Sequence, residues 1–112
     1  MAKHYKVVIA RSGKIDIKNK MRYIIENFKY RDYARNFSAK IKNAAQELDT
    51  LPTGYETTGL RYRGYDIFIK PYSNHLLFYT VDEEKRVVTI LRVLQDGMDW
   101  EYIIQRWLES NT

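Results

Sequence analysis

The stretch LRYRGYDIFIKPYSNHLLFYTVDEEKRVVTILRV, Leu60–Val93, decides how the rest of the chain is read. It holds three runs rich in β-branched and aromatic residues: Leu60 to Lys70, His75 to Val81 and Arg86 to Val93. Pro71-Tyr72-Ser73-Asn74 separates the first pair and Asp82-Glu83-Glu84-Lys85 the second. Connections that short favour hairpins, so three neighbouring antiparallel strands are expected. Gly64 interrupts the first run and reads as a bulge.

Working outward, Leu51-Pro52-Thr53-Gly54 ends a helical region, since proline disfavours helix before it and glycine permits a turn. Upstream of it, Ile17, Met21, Ile24, Ile25 and Phe28 mark the apolar face of one helix. Ala34, Phe37, Ile41, Ala44, Ala45 and Leu48 mark a second, with Asp32 as its cap. The link near Tyr30-Arg31 is short, which predicts a helical hairpin. Tyr5 to Ala10 reads as a first strand, and Ser12-Gly13 as the break that opens the first helix. Beyond Asp96-Gly97, Asp99 can cap a last helix bearing Trp100, Ile103, Ile104, Trp107 and Leu108. The expected fold is therefore α+β, in the order β-α-α-β-β-β-α, with a helical hairpin packed on an antiparallel sheet. Residues 1–112 are expected to form a single domain.

Hydrophobic residues make up 45% of the 112, enough for a core without disulfide or metal staples. Cysteine is absent, which excludes disulfides, zinc thiolates and thiol catalysis. No apolar run approaches the roughly 20 residues a membrane helix needs, and Met1 to Tyr5 shows no signal-peptide core. A cytoplasmic protein is expected. Of the net charge of +5, residues 1–42 carry 12 Lys/Arg against 3 Asp/Glu. So basic a first half fits an acidic partner, nucleic acid or acidic peptide, or simply a solvated helical surface. No metal-ligand spacing, Gly-rich phosphate loop, HExxH or nucleophile elbow is present, so neither metal nor cofactor is expected.

The order of elements resembles that of the RelE/ParE superfamily of toxins. Three segments carry the likeness. Arg63 to Ile69 is similar to a family strand in which an aromatic follows a glycine. His75 to Asp82 is similar to the next strand, ending apolar–Tyr–x–Val–Asp. Val88 to Asp99 is similar to the last strand and its exit, where the family's common His is Gln95 here. The likeness spans roughly residues 5–108. It implies the toxin of a type II toxin–antitoxin pair, neutralised by a cognate antitoxin. The targets it implies are DNA gyrase, as for ParE-like members, or mRNA on the ribosome, as for RelE-like ones. Where RelE-like ribonucleases carry cations, this chain has His75-Leu76 and Gln95-Asp96-Gly97, which favours the ParE-like reading or a weak nuclease. A non-toxic antitoxin-binding module and a basic RNA-binding domain are the alternatives.

RNA cleavage through the 2′-hydroxyl needs a base, charge stabilisation and an acid. The candidates are Arg61, Arg63, His75, Arg92 and Tyr102. Arg61 and Arg63 alternate, so a strand would aim both at one face, as a phosphate clamp or a charged edge. His75 can be a general base or a surface hairpin residue. Arg92 shares a strand face with Val88 and Ile90, where it needs an anion, either a phosphate or a partner that ties down the C-terminus. Tyr102 matches the C-terminal tyrosine of RelE-like enzymes in rough position, or merely packs. For binding an acidic antitoxin or nucleic acid, Lys18, Arg22 and Lys29 form one row beside the first apolar stripe. Arg31, Arg35 and Lys42 form a row beside the second, and both rows are expected to rim the helix–sheet groove. Lys70, next to Pro71, is a further phosphate contact or a solvated lysine.

Overall fold

The computed structural model describes residues 4–111. Strand β1 (Lys6–Ile9) leads into helices α1 (Arg11–Phe28) and α2 (Arg31–Gln46). Two single 3-10 turns follow, then strands β2 (Glu56–Tyr62), β3 (Tyr65–Tyr72), β4 (His75–Asp82) and β5 (Val87–Gln95), and helix α3 (Trp100–Ser110). The five strands make one sheet in the order β1-β5-β4-β3-β2. All neighbours are antiparallel except β1, which lies parallel to β5. The α+β class and the helical hairpin on the sheet are as expected.

The meander has one strand more than expected. The run from Leu60 to Lys70 is not a single strand with a bulge at Gly64 but parts of two strands. Arg63 (φ 52°) and Gly64 (φ 88°) form the two-residue turn between them, closing the Tyr62–Tyr65 pair. Positive φ at both central residues suits the right-handed twist of a hairpin, and Gly64 adopts it without steric cost. The irregularity in β2 lies instead between Thr57 and Arg61, around Gly59 (φ 82°).

The sheet is covered on both faces. On one, Ile17 of α1 and Ile41, Ala44 and Ala45 of α2 bury Leu77, Tyr79, Val88 and Ile90. On the other, Ile104 of α3 packs with Ile67, Leu76, Phe78, Leu91 and Leu94. β4 is thus buried along almost its whole length, which is why it reads as a continuous apolar run rather than an alternating one. Two expected details differ. Tyr30, not Asp32, precedes α2, and Asp32 sits in its first turn paired with Arg35. Phe28 is exposed at the end of α1 instead of joining the core. Asp99 caps α3 as expected, accepting from the Tyr102 amide at 3.3 Å.

β1 ends at Ile9, opposite Ile90, so the rest of β5 lacks a strand on that edge. The start of α1 takes its place. The Ala10 amide donates to Ile90 O at 2.9 Å, and Ser12 Oγ to Leu91 O at 2.6 Å. Asp16 Oδ2 accepts from the Val93 amide at 2.9 Å. Asp16 also receives Arg92 through two bonds, Nε at 2.7 Å and Nη2 at 3.0 Å. Gly13 permits this approach, since a Cβ there would lie 3.1 Å from both Ile90 O and Ile9 Cγ2.

Both members of the Arg92–Asp16 pair are largely buried, with 17% and 13% of their side chains exposed. Removing one partner strands the other charge away from water. Asp16→Ala is expected to cost roughly 3–5 kcal/mol in urea unfolding, and the double variant Asp16→Leu/Arg92→Met to recover most of it. A single-variant loss below about 1 kcal/mol, the range of exposed pairs, would show that the pair does not hold α1 to β5.

Candidate functional site

Where helix α2 passes over the turn between β3 and β4, the surface is hollow. A concavity of about 550 Å³ is lined by Tyr30, Tyr33, Asn36, Phe37, Tyr72 and His75, among others. Two neighbouring hollows continue from it. One runs between α1 and β5 along Asp16, Lys20, Arg92 and Gln95, and the other lies under Tyr23, Ile24 and Phe28 at the end where the link joins α1 to α2. His75 and Phe37 line all three.

His75 begins β4, where the Tyr72–His75 pair closes the hairpin and faces the imidazole towards the helices. It is only 6% exposed, not a surface residue of the turn. Its ring centroid is 4.9 Å from that of Phe37, and Nδ1 is 3.1 Å from Asn74 Oδ1. Nε2 is buried and has no hydrogen-bond partner among the described residues. Burial, and then the nearby Lys20 charge, hold the imidazole below its ordinary pKa. At neutral pH it is an uncharged acceptor or base, not a cation.

The other candidates are placed differently from the sequence reading. Arg61 and Arg63 do not share a strand face, because Arg63 belongs to the turn and lies over the Tyr62 ring at 5.0 Å. Arg61 reaches Asp66 at 3.4 Å and donates to Gly64 O. Arg92 is held by Asp16 of α1 rather than by the C-terminus, after a register shift in β5 opposite Phe78 and Tyr79. Lys70 is neither terminal nor solvated. It is 5% exposed and donates to Ala44 O at 2.7 Å and to Glu47 at 2.9 Å, closing the C-terminal end of α2. A cation there satisfies carbonyls the helix leaves free. Tyr102 is exposed on α3 instead of packed, with Arg106 5.9 Å from its ring centre. Of these candidates, His75 and Arg92 share a hollow.

Lys18, Arg22, Lys29, Arg31, Arg35 and Lys42 are all exposed, but none lines the hollows around His75, so the two rows do not rim the groove. Besides Arg92, which Asp16 holds, the cations that do are Lys20 and Lys40. Lys20 donates to Gln95 Oε1 at 3.1 Å and stands 5.0 Å from the Tyr23 ring centre. The sequence reading missed both lysines, together with Tyr23, Tyr30 and Tyr33. Spacing could have found them, since Lys20 lies three residues after Ile17 and four before Ile24, and Tyr33, Phe37 and Lys40 repeat at helical intervals.

A histidine whose folded pKa is depressed binds fewer protons in the native than in the unfolded state. Its stabilisation is complete above the unfolded value of about 6.5 and declines as pH falls below it, until the folded value is passed. Asp82 is also depressed, chiefly by the Lys85 amide, but its contribution is lost only below about 4. Thermal unfolding is therefore expected to show a fall in midpoint between pH 7 and 5 that His75→Asn flattens. An unchanged slope in the variant would mean that His75 is not the titrating group.

A family described as ParE toxin of type II toxin-antitoxin system, parDE, matches residues 7–100. Comparison with curated proteins finds no match. Among solved structures, a chain of the ParDE system of Pseudomonas aeruginosa is similar with a TM-score of 0.65 at 10% identity, covering 86% of this chain and 100% of that one. A chain of the RelBE2 toxin–antitoxin complex from Mycobacterium tuberculosis has a TM-score of 0.55 at 23% identity, covering 82% and 98%. One from the RelE–RelB complex of Pyrococcus horikoshii has 0.55 at 15%, covering 84% and 97%. At these identities the likeness is one of fold. With the family match spanning 94 residues of the meander, hairpin and edge just described, the chain belongs to the ParE toxin family of type II toxin–antitoxin systems.

Proposed function

We propose that this chain is a single-domain cytoplasmic toxin that is held inactive by a cognate antitoxin and acts on DNA gyrase rather than cleaving mRNA. One observation carries the choice of target: the cations a nuclease would need are engaged and dispersed. Lys70 is buried against α2, Arg92 is bound by Asp16, and Arg61 is turned to Asp66. Arg92 on β5 and Arg61 on β2 are three strand spacings apart, about 14 Å. Cleavage through a 2′-hydroxyl needs its groups converging on one phosphate, within hydrogen-bond reach of the reacting atoms. Gyrase inhibition needs a surface, which this molecule offers.

The antitoxin reading draws on the charge of the first 42 residues. Exposed cations on α1 and α2 favour an acidic segment that folds on binding. No helix among the described residues is long and apolar enough to cross a membrane, in keeping with a partner in the same compartment.

Induction of the chain alone is expected to stop growth, and co-expression of the adjacent antitoxin gene to restore it. Purified toxin should inhibit supercoiling by gyrase, while primer extension finds mRNA intact. Codon-linked cuts with gyrase unaffected would replace this reading with ribosome-dependent cleavage. Absence of any growth effect from well-expressed protein would reduce it to a binding module.

A further inference from the structure

The linked end of the helical hairpin, around Lys29–Tyr30, exposes four aromatic rings: Tyr23 (51%), Phe28 (55%), Tyr30 (62%) and Tyr33 (63%). Scattered apolar residues need no explanation, but four large rings around connected hollows do. The hollow lined by Tyr30, Tyr33 and His75, about 550 Å³, is within the range of roughly 300–1,000 Å³ usual for small-ligand sites.

Its chemistry is mixed in a specific way. Tyr30, Tyr33 and Phe37 supply flat apolar faces, while Asn36, Asn74 and His75 supply hydrogen-bonding groups among them. Lys20 and Lys40 stand on the rims, and neither makes an ion pair among the described residues. The carboxylates nearby, Asp32 and Asp16, are each matched by an arginine, Arg35 and Arg92. The local field is therefore positive. An amphipathic peptide helix wants a continuous apolar floor. This floor carries amides and a buried imidazole nitrogen without a partner among the described residues.

We propose that the hollow beside Tyr30, Tyr33 and Phe37 takes an unstacked base of single-stranded nucleic acid, with Lys20 and Lys40 flanking the backbone phosphates. Tyrosine and phenylalanine faces stack on any base, and cations track the phosphates without reading sequence. His75 adds an edge contact. With Nδ1 donating to Asn74 Oδ1, the free Nε2 lone pair accepts an amino or ring N–H of the base. Phe37, which stands against the imidazole and lines the same hollows, must turn to admit that contact. Arg11 and Arg63, which line a separate hollow beside Trp107, take no part.

Fluorescence anisotropy of the full chain with labelled 12-nucleotide DNA, RNA and the matched DNA duplex tests this without gyrase or growth, so it can fail while the toxin reading stands. The single strands are expected to bind more tightly than the duplex. Tyr30→Ala and Tyr33→Ala, both at exposed positions, should each weaken single-strand binding roughly 5- to 100-fold with unchanged melting temperature. Tyr33→Trp should preserve it, and Tyr33→Leu should not. Lys20→Ala/Lys40→Ala should lower the salt slope by about 1.4, and Arg11→Ala/Arg63→Ala should leave it unchanged. Equal affinity for DNA and RNA supports reading by base and phosphate alone, and a preference for RNA adds a contact to the 2′-hydroxyl. Duplex binding as tight as single-strand binding, with the tyrosine variants unaffected, would overturn the proposal in favour of general charge. Tyrosine variants that keep the oligonucleotide but lose the antitoxin would overturn it in favour of a peptide surface.

Discussion

The exposed edge of β5 beyond Ile90 governs the arrangement of the molecule. β1 is four residues long, so half of its neighbour would present unpaired backbone groups. Such an edge either finds a partner or invites another chain. Here the start of α1 supplies the partners: the Ala10 amide, Ser12 Oγ and the Asp16 carboxylate. Those bonds set the angle at which α1 leaves the sheet. Through the short Lys29–Tyr30 link, they also set where α2 and its rings come to lie. The Asp16–Arg92 pair is a consequence of the same docking, since the register shift in β5 falls where the two elements meet.

This constraint bears on function by disposing of cations. Arg92 and Lys70 have the residue types of a phosphate-handling site, yet each secures a helix: α1 through Asp16, and the end of α2 through Ala44 O and Glu47. Buried guanidinium and ammonium groups must be paired, so once the fold has placed them inside they are committed. Many of the exposed cations sit on the hairpin, with Lys20 and Lys40 at the hollows around His75.

Much of the architecture was legible in residue order. The apolar stripes of α1 and α2, the Asp99 cap of α3 and the hairpins of the meander follow from local periodicity and turn chemistry. The split between β2 and β3 was missed because Arg63-Gly64 is not among the strongest hairpin dipeptides and a lone glycine in a strand usually marks a bulge. Alternation then misled the reading of Arg61 and Arg63, since a turn between them breaks the two-residue period on which a shared face depends. Lys70 and His75 were misjudged for a different reason. Burial of a polar residue in a strand depends on what is packed over it, and α2 arrives from a distant part of the chain.

The sequence by itself determined the element types, the α+β class and the basic character of the hairpin, because these depend on interactions among residues a few positions apart. Only the tertiary structure decided which cations are spent inside, that His75 is buried with a nitrogen unpartnered among the described residues, and that rings from α2 and β3 line one hollow. Those facts arise between groups far apart along the chain, such as Asp16 and Arg92 or Phe37 and His75, and the packing of α1 and α2 on the sheet is what brings them together.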